Sequence, residues 1–167
     1  MPRSLGAASG AAVLALAASL LLPGSARAAD DGSVARDLGR AYHATAKYRY
    51  EPNAAKDGFL PADDCKSDPV LGGMGYHYAK LTNLGSTDPD RPTALFYVTG
   101  EDGKRRLVGA EWIVPSTGQP APRMFGRKFD GPFDIAGLGR VYDRHVWLYE
   151  KNPAGFFARF NPHLSCP

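Results

Sequence analysis

Only two cysteines, Cys65 and Cys166, occur in this 167-residue chain. In an oxidising compartment two cysteines have a single way to pair. A bridge between them ties the penultimate residue to the region after the N-terminal helix. It closes a loop of about 100 residues and sends the C-terminal tail back across the body of the fold. The constraint depends on export, and the first residues carry that signal. Arg3 supplies a positive start, Leu5 to Leu22 is an Ala/Leu-rich apolar run without a charge, and Ala26-Arg27-Ala28 fits the small-x-small rule of signal peptidase. Cleavage is expected after Ala28, which makes 1–28 a signal peptide and 29–167 the mature chain. Gly6, Gly10 and Ser19 interrupt the apolar run and Pro23 follows it closely, which favours a removed leader over a retained anchor. No later segment approaches the ~18 apolar residues of a spanning helix. The expectation is a secreted protein with no membrane association after cleavage.

The mature length suits one domain with its own core. The whole chain carries 20 Lys+Arg against 17 Asp+Glu; loss of Arg3 and Arg27 leaves 18 against 17, a net charge of +1 instead of +3. A nearly neutral domain lacks the electrostatic footprint of a nucleic-acid binder, and Lys104-Arg105-Arg106 is too short a run to reverse that.

Hydrophobic periodicity supplies the elements. Val34, Leu38, Ala41, Thr45 and Tyr48 recur at three and four, which predicts a helix with Ser33 as N-cap. A second short helix is expected over Pro52–Asp57, with Gly58 as its stop. Strict alternation then predicts strands over Met74–Leu81, Thr93–Thr99, Arg105–Val114 and Val141–Tyr149, the middle two joined by a Gly100–Gly103 hairpin. Pro115–Gly139 reads as a long excursion, either a lid or an edge cover. After Asn152-Pro153-Ala154-Gly155, the spacing of Phe156, Phe157 and Phe160 suits one helical turn. The fold class expected is α+β: an N-terminal helix pair packed on a mostly antiparallel sheet of about four strands, with one disulfide.

Three strand residues carry unusual chemistry. His77 lies between Gly75 and Ala79 on its face, Glu111 interrupts an apolar strand, and His145 shares a face with Trp147 and Tyr149 by strict alternation. A carboxylate in an apolar strand must be solvated, protonated, paired or bound to a cation. Two imidazoles and one carboxylate are also the protein ligands of open zinc sites and of non-haem iron triads. His77, Glu111 and His145 are therefore the candidate ligands of a divalent zinc, iron or copper ion. Glu111 with either histidine could instead do acid–base work. Their convergence depends on strand order, which spacing does not supply. Gly72-Gly73-Met74-Gly75 lacks the spacing of a phosphate loop, and no serine has a nucleophile-elbow context.

Ala44-Thr45-Ala46-Lys47-Tyr48, Asp57-Gly58-Phe59, Gly73-Met74-Gly75-Tyr76-His77-Tyr78, Leu107-Val108-Gly109-Ala110-Glu111-Trp112, His145-Val146-Trp147-Leu148-Tyr149 and Asn152-Pro153-Ala154-Gly155-Phe156-Phe157-Ala158 cover most of the mature chain. Together with Cys65 and Cys166, this order resembles a family of small, functionally uncharacterised exported proteins of high-GC bacteria. The resemblance implies a signal peptide, the same domain extent and paired cysteines, and it implies no substrate or cofactor. Two readings of function stay open: a metal-binding protein, enzymatic or not, that uses His77, Glu111 and His145, and a non-catalytic, inhibitor-like module whose aromatic surface contacts a small molecule or a protein.

Overall fold

The computed structural model describes residues 25–62 and 65–167 together with Met1, with side chains described from residue 31 onward. The leader expected over 1–28 lies almost wholly outside the described residues. Helix α1 (Ser25–Thr45) continues as a 3-10 turn over Ala46–Arg49, and a short α2 (Pro52–Lys56) follows. Ser33 thus lies inside the helix and does not cap it. The alanine-rich stretch before it favours helix, and the single Gly32 does not stop it. Pro52 stands in the first turn of α2, and Gly58 follows its end with φ +88°.

Among the described residues nine strands follow: β1 (Leu60–Pro61), β2 (Lys66–Asp68), β3 (Gly72–Ala79), β4 (Ala94–Thr99), β5 (Arg105–Pro115), β6 (Arg123–Met124), β7 (Arg127–Lys128), β8 (Asp130–Ile135) and β9 (Gly139–Val146). Seven form one sheet in the order β1-β3-β4-β5-β9-β8, with β2 also on β3 and every pairing antiparallel. β6 and β7 make a separate hairpin. The α+β architecture is as expected, and β3, β4, β5 and β9 are the four strands read from alternation. The other three sheet strands are short or sit at the edges. Of these, β8 comes from the stretch read as an excursion. Its glycine and proline obscure a strand that, at a sheet edge, tolerates proline.

β4 and most of β5 are buried on both faces, so they read as continuous apolar runs. On one face Leu95, Tyr97, Ala110, Trp112, Tyr142 and Val146 pack under the helical layer, against Ala41 and Tyr48. On the other, Phe96, Val98, Val108 and Trp147 pack with Leu164 of the tail. Between β4 and β5 the alternation is broken once. Tyr97 pairs with Leu107 while Phe96 pairs with Gly109, so Val108 is a bulge and Leu107 turns to the helix side, away from Glu111.

The tail closes the second face without a helix. Trp147 takes the Phe156 carbonyl with its backbone N–H and the Ala158 carbonyl with its indole N–H, at 3.1 and 2.6 Å. The Phe156 carbonyl is the one a helical turn at Phe156–Phe160 would have needed, and turns replace it. β9 accordingly ends at Val146, and Tyr149 packs on the helix side, its hydroxyl bonded to the Tyr42 carbonyl, not beside His145. Asn161 then pairs with Gly73 through two backbone hydrogen bonds. Gly72 has φ +96°, and any side chain there would overlap the Asn161 backbone. The glycine run before His77 therefore serves close approach of the tail. Cys65 and Cys166 are bridged, with Cα atoms 5.6 Å apart, and hold the end of that tail. Among the described residues no helix is long and apolar enough to cross a membrane.

Candidate metal centre

Strand order brings the three singled-out residues together. His77 of β3 lies opposite Phe96 of β4, Phe96 opposite Gly109 of β5, and Glu111 opposite His145 of β9. Side chains in these registers project from one face, the face away from the helices. The Phe96 ring contacts both imidazoles. It meets His77 edge-on at 4.8 Å and stacks on His145 at 4.9 Å. One potential ligand atom from each of His77, Glu111 and His145 lies within 4.8 Å of the other two. His145 Nε2 is 3.4 Å from Glu111 Oε1. Two ligands ~2.1 Å from one tetrahedral ion stand ~3.4 Å apart, so this pair already has ligand spacing.

Glu111 is 3% exposed and His145 fully buried; His77 keeps some exposure over the residue while its Nδ1 is sealed from solvent. Burial pushes the His145 imidazole below its ordinary value, against the opposing pull of Asp143. A neutral imidazole has one N–H and one lone pair. Asp143, two residues earlier on the same face of β9, sets its Oδ1 3.7 Å from His145 Nδ1. Neither His145 nitrogen has a hydrogen-bond partner, although carboxylates face both. With the proton on Nδ1 toward Asp143, the Nε2 lone pair meets a carboxylate oxygen of Glu111. Two electron donors facing each other in a buried place favour a cation between them.

Asp143 is itself fully buried. Burial opposes its ionisation, but the facing His145 and the positive charges of Arg159 and Arg144 outweigh that and hold its carboxyl below the usual carboxylate range. The closest of these partners is Arg159, whose Nη2 lies 3.0 Å from Asp143 Oδ2. Asp143 was discoverable, since it shares the His145 face at a spacing of two. Arg159 has no local signal, because only the return of the tail brings it here. His43, on α1, is exposed and far from this face, and His163 is an exposed tail residue.

Searches of protein-family models, of curated proteins and of solved structures find no match for the chain.

Proposed function

We propose that the protein is an exported domain that binds one divalent metal ion through His77, Glu111 and His145. The observation that carries this reading is the buried His145 Nε2 and Glu111 Oε1 facing each other at 3.4 Å with a second imidazole beside them. This donor set suits zinc, iron or copper, and a fourth position would supply Lewis-acid or redox chemistry when an ion is bound. The leader composition, the Cys65–Cys166 bridge and the resemblance to exported proteins support secretion as the setting.

The test is titration of chelator-stripped mature protein with Zn2+ and Co2+. One equivalent should bind, and His77→Ala, Glu111→Ala and His145→Ala should each weaken binding at least tenfold, while His43→Ala leaves it unchanged. Equal affinity in all four variants would remove the proposal. A second reading has its own support. An open groove of about 520 Å³ is lined by Tyr42, Arg49, Tyr149, Lys151 and Phe156, with Tyr42 and Phe156 40% and 43% exposed. That aromatic surface is the place for a small-molecule or protein partner, and no metal uptake by the stripped protein would favour it.

A further inference from the structure

The tail does more than cover the second face. From Ala158 to Cys166 it is pinned at the Trp147 indole, at Gly73 and at the disulfide, and Leu164 packs on the cluster that contains Phe96. Between these anchors Arg159 reaches inward. Its guanidinium lies 4.1 Å from the Phe133 ring centroid and forms an ion pair with Asp143 at 3.0 Å, and Asp143 faces the nitrogen of His145 that points away from Glu111.

An imidazole must be held in one tautomer to offer a particular nitrogen, and a carboxylate facing Nδ1, here at 3.7 Å, favours the proton on that side. Asp143 is in turn held in its place by the Arg159 guanidinium, paired with its other oxygen at 3.0 Å. The chain of dependence runs from the disulfide to the tail, from Arg159 to Asp143, and from Asp143 to His145. Resting on the metal reading above, we propose that Arg159 and Asp143 are the positioning residues of the metal centre, so that the disulfide-held tail sets how tightly the ion is kept.

The experiment compares Co2+ affinity and release to excess chelator in native oxidised protein, in Arg159→Ala, in Arg159→Lys and in the Cys65→Ser/Cys166→Ser double variant. Loss of such an outer support lowers affinity about 10–100-fold. Arg159→Ala and the double variant should show a loss of that size with faster release, and Arg159→Lys should recover most of it. Nitrogen chemical shifts of His145 in the metal-free protein supply a readout that a purely structural role would not move: one Nδ1–H tautomer in the native protein, a mixture in Arg159→Ala. Circular dichroism confirms that each variant is folded, and Arg159→Lys carries the comparison if the double variant is not. Native-like affinity in Arg159→Ala with an unchanged tautomer would overturn the tail's role and leave the metal reading standing. No Co2+ uptake by the native protein would remove both.

Discussion

Gly109 lies opposite Phe96 in the β4–β5 pair, and the Phe96 ring occupies space that a side chain at 109 would enter. A methyl group there would overlap the Val146 carbonyl oxygen and come within 3.1 Å of Phe96 Cδ2. The obstacle is backbone on one side and a fully buried ring on the other, so neither gives way cheaply. Gly109→Ala is expected to destabilise the protein by about 1–3 kcal/mol in urea unfolding. Because Phe96 stacks on His145, the same variant should also weaken Zn2+ binding. A change within about 0.5 kcal/mol would show that the strands re-space freely around the site.

Closure of a long loop makes the disulfide a large contributor through the unfolded chain. With a sequence separation of 101 between the two cysteines, the entropy model gives about 4–5 kcal/mol. Urea unfolding of oxidised and reduced protein should differ by an amount of that order, and Cys65→Ser should reproduce the reduced value. A loss below about 1 kcal/mol would mean that the tail is held chiefly by Leu164, Asn161 and Trp147.

The parts of this fold visible in sequence are those where side-chain direction follows period two. Ala94-Phe96-Val98 against Leu95-Tyr97 is read correctly because both sets are apolar and each packs on its own layer. The same period places Asp143 and His145 together. Hidden are the features set by partners distant in sequence. The bulge at Val108, which sends Leu107 to the helix side, arises from pairing with β4, and β8 looks like loop because its composition suits an edge strand. The candidate site was legible as residue types but not as a place. His77, Glu111 and His145 converge because β9 adds to β5 on the side away from β4, and no local pattern encodes that choice.

Tyr97 gives the fold an alkaline limit. Its hydroxyl donates to the Tyr48 carbonyl at 2.8 Å, and burial raises its pKa well above the ordinary tyrosine value of 10.0. Burial also raises Tyr48, Tyr78 and Tyr149. Below the unfolded value both states keep these protons and the stabilisation is complete. Above it the unfolded chain ionises first, and stability falls by up to ~1.4 kcal/mol per pH unit for each such group. Urea midpoints should therefore hold from pH 8 to about 10 and drop beyond it. Tyr97→Phe should cost about 1 kcal/mol at neutral pH and make the alkaline drop shallower. An alkaline slope equal to that of the native protein would show that Tyr97 ionises in the folded state.

Glu111→Gln separates a metal site from a buried ion pair. If His145 is a protonated partner of Glu111, removing the carboxylate strands a buried charge, and the metal-free protein should lose about 3–5 kcal/mol. If Nε2 instead presents a lone pair to a carboxylate 3.4 Å away, glutamine places an amide N–H where a donor is wanted. Burial favours the neutral imidazole, so the second outcome is expected. Metal-free Glu111→Gln should be more stable than native by about 1 kcal/mol in urea unfolding, while its Zn2+ affinity falls at least tenfold. A site kept for function at a cost in stability behaves in this way, because the strain that the ion relieves is present only when the ion is gone. Destabilisation of metal-free Glu111→Gln by several kcal/mol would instead assign the pair to the structure of the sheet.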